Sequence, residues 1–410
     1  MSKLNLDLPI LLIDTSYWLY YRFFSLRNWY YRAYPEKYSN NDKNSFNADY
    51  NWFEDKVFMT KYKKLFIENI KKICKKFNTK MENVVFCIDC PHNEIWRKTY
   101  ITKLNKIIDT KNEKIKNEKI KNEKIKTETN ETETNETETN ETETNETETH
   151  TNEKNDQEQI EVQLQDLIQE YKGTRLESHK KNRFNSFNIF SYIKTTFLST
   201  LKDNNNNLIK IISCSQCEAD DIIGHLTLYI QNLTIETKPT LYILANDHDY
   251  LQLCNDKVKL INGVGKIISV SQNGNCNTTG DYYLLSKILL GDKSDNIKCC
   301  VVNMGYICSG IPNHNFKNVG KSCIHKLFSH PDRTKLFYDL LITIRNEFIH
   351  TTNHITDGDY ISNGDYASNN SDSNKIIDMN KFKHNCIMMD FQLIPLELKT
   401  KLNKLFAEII

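Results

Sequence analysis

The chain has no long hydrophobic run. No stretch of its 410 residues approaches the roughly 20 apolar residues of a membrane span. Residues 9–13 are apolar, but Asp14 ends that run too early for a secretory signal peptide. We therefore expect no membrane partner and an intracellular, non-secreted protein. The sequence does not distinguish the cytoplasm from the nucleus.

The chain also lacks regularly spaced cysteines and any triad-like placement of histidine. Two CxxC pairs, Cys87/Cys90 and Cys214/Cys217, invite a zinc hypothesis. No histidine follows at ligand spacing, however, and Cys87 lies inside a strand pattern. Free thiols in a reducing compartment are the preferred interpretation. Covalent catalysis by a Cys or His nucleophile is not indicated.

One segment lacks any hydrophobic periodicity. Residues 111–125 repeat KNEKI three times, and residues 130–149 repeat NETET four times. A five-residue period matches neither a helix nor a strand, so we expect a disordered insert at 109–160. This insert contains 8 Lys and 16 Asp or Glu, a net charge of −8. Since the whole chain carries +1, the remaining residues carry a formal charge of +9. That body is compatible with nucleic acid, although charge alone does not single out such a partner.

Outside the insert, short apolar runs alternate with helical patterns. The expected strands are 10–13, 84–88, 208–213, 241–245 and 258–262, and the clearest helical patterns are 56–77, 221–230 and 282–290. Continuous apolar runs bounded by polar residues are typical of buried parallel strands. Alternation of strands and helices predicts an α/β fold with right-handed crossovers.

Nine carboxylates fall in five short clusters that follow these strands or lie beside helical patterns. The carboxyl ends of parallel strands meet at one edge of a sheet, where ligands bind. Converging carboxylates repel each other unless hard divalent cations compensate, which points to Mg²⁺, or to Mn²⁺ in its place. The predicted metal ligands are Asp14, Asp89, Glu218, Asp220, Asp221, Asp247, Asp249, Asp292 and Asp295.

Each acid also has an ordinary structural explanation. Asp14 could simply cap a helix, and acids in a first helical turn complement the macrodipole. Three acids within positions 218–221 exceed what a cap requires, and Asp247 and Asp249 would point to the same side of an extended backbone. Two ions about 4 Å apart could activate a water and stabilise the leaving oxygen of a phosphodiester. Taken together, the clusters favour a two-metal site.

Basic residues supply the expected phosphate contacts. Arg22 lies on a probable helix after the first strand, and Arg97 follows the second acid cluster. After the insert, a charged segment could grip phosphates, although a charge run is often only a solvated helix face. Its basic residues are Lys172, Arg175, Lys180, Lys181 and Arg183.

In this order, the motifs resemble the 5′-nuclease family. That family includes flap endonucleases, phage 5′-3′ exonucleases and the 5′-nuclease domain of bacterial DNA polymerase I. The resemblance covers about Leu11 to Phe328, discounting the insert. It is carried by LLIDTSYWLYYRFF, VVFCID with the downstream WRK, EYKGTR, CEADDIIG, NDHDYLQL and GDKSDNI.

The resemblance implies a PIN-like, mostly parallel central sheet flanked by helices, a helical arch and a helix-three-turn-helix element that binds duplex DNA. It implies that Lys172, Arg97 and Arg22 act at the scissile phosphate. It also implies that Gly320 and Lys321 in NVGKSCIHKLF contact DNA and that a K⁺ ion binds at this element. The expected organisation is a first part of the nuclease domain at 1–108, the insert at 109–160, the arch and remaining core at 161–290, and a hairpin and C-terminal helical region at 291–410 with a polar insert near 351–374.

The function that this resemblance implies is a metal-dependent 5′-3′ exonuclease and 5′-flap endonuclease. It would act as a monomer on DNA with a free or flapped 5′ end, in replication or repair. Two alternatives remain open. One is a PIN-type ribonuclease, against which GDKSDN and the hairpin region argue. The other is a catalytically silent DNA-binding scaffold, although such proteins lose ligand carboxylates and this chain keeps every cluster.

Overall fold

The computed structural model describes residues 3–38, 50–102, 186–203, 205–268, 280–302, 324, 327–351 and 377–410. The predictions for the repeat insert, the arch, the hairpin and most of the polar segment near 351–374 lie outside these residues. The five predicted site residues between 172 and 183, together with Gly320 and Lys321, also lie outside them.

A five-stranded parallel sheet forms the centre of the molecule. Its strands are β1 (Ile10–Asp14), β2 (Val84–Ile88), β3 (Lys210–Ser213), β4 (Leu241–Leu244) and β5 (Val258–Ile261). They lie in the order β3-β2-β1-β4-β5. β1 pairs with β2 on one side and β4 on the other, so the topology switches direction beside β1. A crevice for a ligand is expected at the carboxyl ends of the strands at this point.

All five expected strands are present, and the fold class is confirmed. The largest difference in a boundary is at β3, which begins at Lys210 and not at Leu208, because Leu208 forms an isolated antiparallel bridge with Lys202 instead of joining the sheet. The side chains of β1 explain why its run is apolar throughout. Ile10 and Leu12 belong to one hydrophobic cluster, and Leu11 and Ile13 belong to another on the opposite face. Both faces of the sheet are therefore covered. A strand with one face exposed to solvent would instead alternate apolar and polar residues.

Helices cover the two faces of this sheet. On one face lie α1 (Thr15–Ala33) and α3 (Lys56–Lys76), with the short α2 (Pro35–Tyr38) between them in the chain; α4 (Phe187–Tyr192) adds apolar side chains to the same cluster. The opposite face is packed by α5 (Ala219–Gln231), α6 (Asp281–Leu290), α7 (Pro331–Thr351), α8 (Met379–Met389) and α9 (Leu396–Ile409). None of the helices in the described ranges is both long and apolar enough to cross a membrane.

Aspartates set the start of the two long helices on the first face. The Asp14 side chain accepts a hydrogen bond from the Tyr17 amide at 2.9 Å and begins α1 directly at the end of β1. Asp55 does the same for α3, accepting from the amides of Val57 and Phe58. An N-cap carboxylate satisfies donors that the first helical turn leaves open. The cap at Asp14 also fixes an acid at the edge of the sheet.

Candidate metal and phosphate site

Carboxylates from successive strand ends meet at the carboxyl edge of the sheet. Asp14 ends β1, Asp89 follows β2, Asp220 lies in the first turn of α5 after β3, and Asp247 follows β4. Burial, together with the charges of Asp89, Asp220 and Asp247, raises the pKa of Asp14 to about 7. Carboxylates far apart in the chain therefore share one crevice.

Three acids at the start of α5 form the first cluster. Ligand oxygens of Glu218, Asp220 and Asp221 lie within 4.8 Å of one another. Arg97 lies behind all three: its guanidinium nitrogens are 3.4 Å from Glu218, 3.9 Å from Asp220 and 2.8 Å from Asp221. Its Nε also donates to the Met388 carbonyl at 3.0 Å. The Arg97 side chain is only 1% exposed, so the structure places it as an internal counter-ion rather than on a surface that substrate could reach.

The Asp221 carboxylate supports this arrangement from inside the protein. One oxygen accepts hydrogen bonds from the Trp96 indole and the Glu218 amide, both at 3.0 Å, and the other lies against Arg97. Asp221 is fully buried, and burial raises its pKa to about 6 even though Arg97 opposes the change. Because Asp221 is fully buried and its second oxygen is paired with Arg97 at 2.8 Å, we assign Asp221 to orienting Arg97 and the start of α5.

Asp89 is connected to a lysine that sequence reasoning missed. Ser16 donates a hydrogen bond to Asp89, and Lys194 donates to Ser16 at 2.8 Å while lying 3.6 Å from the Asp89 carboxylate. The Ala219 amide at the start of α5 donates to the other Asp89 oxygen at 2.9 Å. Lys194 lies more than 100 positions from Asp89 in the chain, beyond the repeat insert, and no spacing rule indicates this contact.

The second cluster combines the acids after β4 with those after α6. Ligand oxygens of Asp249, Asp292 and Asp295 lie within 4.8 Å of one another. Lys287, also missed from the sequence, lies 2.9 Å from Asp249 and contacts Asp292. Burial and the charge of Asp247 raise the pKa of Asp249 to about 6. An ammonium group between two carboxylates shows that this cluster accommodates a cation.

The donor set fits hard divalent ions. The two groups able to hold a metal in the described part of the chain consist of carboxylates alone, the ligands that Mg²⁺ and Mn²⁺ prefer. The cysteines of the two CxxC pairs are free thiols and contribute to neither group. The candidate metal ligands at this site are therefore carboxylates, and not the thiolates of a zinc site.

Arg22 lies among aromatic rings. Its guanidinium carbon is 5.7 Å from the ring centroids of both Trp18 and Tyr21, and burial lowers its pKa. Its assignment to the scissile phosphate stays a prediction, as does that of Lys172, which lies outside the described residues.

Comparison with known proteins agrees with this geometry. Residues 127–279 match the family model described as the 5′-3′ exonuclease, N-terminal resolvase-like domain. That segment contains Glu218, Asp220, Asp221, Asp247 and Asp249, and the fold adds Asp14 and Asp89 from outside it. This match covers less than half of the chain, and it agrees with the resemblance to the 5′-nuclease family found in the sequence.

Two solved structures from bacteriophage T5 align with most of the chain at low similarity. A T5 5′-exonuclease with bound zinc is 14% identical with a TM-score of 0.39, and the alignment covers 98% of this chain and 99% of that chain. A T5 flap endonuclease in a pseudo-enzyme–product complex with DNA and metal ions is 13% identical with a TM-score of 0.38, covering 98% of both chains. TM-scores this low carry no weight here, and the fold assignment rests on the sheet order. No curated protein sequence matches the chain.

The raised carboxyl pKa values predict an unusual pH dependence for the metal-free protein. Asp14, Asp221 and Asp249 have an ordinary pKa of 3.8 but hold protons up to about pH 7, 6 and 6 in the folded state. The folded protein therefore binds more protons than the unfolded chain between about pH 4 and 7, so its stability falls as the pH rises through this range. For each group the loss is roughly 1.4 kcal/mol per pH unit over which only the folded state stays protonated.

Urea unfolding in EDTA at pH 5, 6, 7 and 8 measures this effect. Addition of Mg²⁺ is the control, because a bound cation favours the ionised carboxylates and should reduce the loss. A midpoint that rises steadily with pH in EDTA would contradict the prediction.

Proposed function

We propose that the protein is a divalent-metal-dependent nuclease that hydrolyses phosphodiester bonds in DNA at a free or flapped 5′ end. The observation that carries this proposal is the convergence of two carboxylate clusters on the crevice beside β1, together with the match of residues 127–279 to a 5′-3′ exonuclease domain. Two divalent ions held there would activate a water and stabilise the leaving oxygen. Mg²⁺ is the proposed ion, and Mn²⁺ could substitute for it.

The residues of the chain divide between holding cations and binding DNA. Asp89, Glu218 and Asp220 would hold the first ion, and Asp249, Asp292 and Asp295 the second. Asp14 and Asp247 would lie between these two groups, since the charges of Asp89, Asp220 and Asp247 act on Asp14 and the charge of Asp247 also acts on Asp249. On the basis of the family resemblance, we propose that Lys172 and Arg22 contact the scissile phosphate. The same resemblance supports further DNA contacts by Arg175, Lys180, Lys181, Arg183, Gly320 and Lys321. A K⁺ ion would bind at Gly320 and Lys321.

A monomeric, intracellular enzyme that removes flaps or primers during replication or repair would suit this activity. The clustered acids support cleavage over a silent scaffold, because a protein that only binds DNA gains nothing from carboxylates that repel phosphate. The family match supports a DNA 5′ nuclease over a PIN-type ribonuclease.

Cleavage of a labelled 5′-flap DNA tests the proposal. We expect cutting near the flap junction with Mg²⁺ and none with EDTA. A 3′-flap DNA of equal length and a 5′ flap with a blocked end serve as controls, and an RNA flap separates the ribonuclease alternative. Tight DNA binding without cleavage in Mg²⁺ or Mn²⁺ would overturn the proposal in favour of the scaffold.

A further inference from the structure

Tyr250 carries a buried hydroxyl that the proposed chemistry does not yet use. It lies in the 3₁₀ turn His248–Leu253, directly after Asp249, and the residue is 0% exposed. Its ring packs against Phe391, with centroids 5.9 Å apart. Within the described ranges, the hydroxyl has no hydrogen-bond partner. A buried polar group without a partner is costly, because it has lost its hydrogen bonds to water.

The surroundings of this hydroxyl are acidic. Burial, followed by the charges of Asp14, Asp220 and Asp247, raises the pKa of Tyr250 well above its ordinary value. Tyr250 packs in the hydrophobic cluster that contains Leu12, and Asp14 lies two positions after Leu12 on β1. Asp14 and Tyr250 therefore lie on the same face of the sheet, at the carboxylate crevice. A phenol that keeps its proton at every working pH can only be useful there as a hydrogen-bond donor.

Asp14 is the acceptor best placed for such a bond. It ends β1, next to β4, from which the turn containing Tyr250 continues, and it lies on the same face of the sheet as Tyr250. One Asp14 oxygen already accepts from the Tyr17 amide. The second oxygen has two lone pairs, so it can contact a cation and accept a hydrogen bond from a donor on the floor of the crevice at the same time.

We propose that Tyr250 is a positioning residue: its hydroxyl donates a hydrogen bond to the Asp14 carboxylate when a divalent cation binds and thereby orients that carboxylate toward the cation. This inference rests on the proposed function, because it requires a cation at the crevice. Groups that orient a metal ligand in this way commonly change metal affinity by about 10–100-fold. No sequence pattern indicates this role, since Tyr250 resembles an ordinary core aromatic.

The Tyr250→Phe variant tests the inference, because it keeps the ring and removes only the hydroxyl. We expect its affinity for Mn²⁺, measured by the loss of the free-ion electron paramagnetic resonance signal, to fall about 10-fold. Its thermal unfolding midpoint in EDTA should stay the same or rise, because an unpaired buried hydroxyl has been removed. Cleavage at saturating and at limiting Mn²⁺ would show whether added ion restores the rate.

Tyr62→Phe is the matched control. Tyr62 is equally buried, but its hydroxyl donates to the Leu19 carbonyl at 2.9 Å. Loss of that bond should lower the unfolding midpoint and leave Mn²⁺ affinity unchanged. Wild-type affinity in Tyr250→Phe would overturn the inference while leaving the proposed function intact. A wild-type protein that binds no Mn²⁺ would overturn both.

Discussion

Replacing Asp14 with Asn should abolish most cleavage and at the same time make the metal-free protein more stable. The amide keeps the shape of the side chain and can still accept the hydrogen bond from the Tyr17 amide that begins α1. It removes one negative charge from the centre of the crevice, where Asp89, Asp220 and Asp247 surround it. We expect the cleavage rate to fall about 10²–10³-fold, the usual cost of removing one group that stabilises charge in a transition state.

The gain in stability follows from the raised pKa of Asp14. A carboxyl group whose pKa rises to about 7 in the folded protein disfavours folding at pH 8, where it must ionise in the crevice. After allowance for partial exposure and screening, the neutral amide should add about 2 kcal/mol to the free energy of unfolding. Urea unfolding at pH 8 in EDTA measures the gain, and flap cleavage in Mg²⁺ measures the loss.

Asp55→Asn is the control for this prediction. Asp55 caps α3 in the same way that Asp14 caps α1, and its carboxylate also accepts from the Tyr50 hydroxyl at 2.6 Å. This variant should cleave DNA normally and should not gain stability. If Asp14→Asn cleaved at the wild-type rate, the crevice could not be the metal site. If Asp14→Asn were instead less stable than wild type, the inference that neighbouring charges and burial disfavour the ionised Asp14 carboxylate would be wrong.

Replacing Arg97 with Met should cause the largest loss of stability. The guanidinium is 1% exposed and lies against Glu218, Asp220 and Asp221. Methionine fills much of the same volume but leaves three carboxylates and the Met388 carbonyl without this donor. Removing one partner of a buried ion pair typically costs about 3–5 kcal/mol, because the remaining charge stays desolvated. Chemical denaturation at pH 7 measures the loss, which should shrink at pH 5 as the carboxylates gain protons.

Lys64→Met provides the matched control for Arg97. Lys64 also pairs with an acid, Glu68 at 3.8 Å, but its side chain is 70% exposed. Surface pairs of this kind contribute about 0–1 kcal/mol, so little change is expected. If Arg97 bound the scissile phosphate directly, its replacement would lower cleavage while leaving stability near that of the control. That outcome would contradict the internal role assigned here.

Sequence patterns located the framework of the site well because its signals are local. The apolar run before Asp14 ends where β1 ends, and the run before Asp89 corresponds to β2. The helix pattern expected at 282–290 is observed as Asp281–Leu290. A strand buried on both faces requires an unbroken apolar run, and a helix requires its own periodicity, so each pattern can be read within a few residues.

The contacts that tune the site could not be read in this way. Lys194 and Lys287 each reach carboxylates, but a surface lysine and a crevice lysine look the same in a sequence. Arg97 was expected at the phosphate, whereas the fold places it behind the first cluster, against the Met388 carbonyl from the C-terminal part of the chain. Burial depends on which distant segment covers a side chain, and local spacing contains no information about that.

The sequence by itself determined the α/β class, the acidic clusters and the resemblance to the 5′-nuclease family, because these depend on residue type and short-range order. The tertiary structure alone decided which acids share a cluster, which cations lie among them and which hydroxyl lies beneath them. The strand order β3-β2-β1-β4-β5 brings together residues that are more than 200 positions apart, such as Asp14 and Asp247. The electrostatic energy of a group depends on distance and burial in space, so the chemistry of the crevice exists only once the sheet has formed.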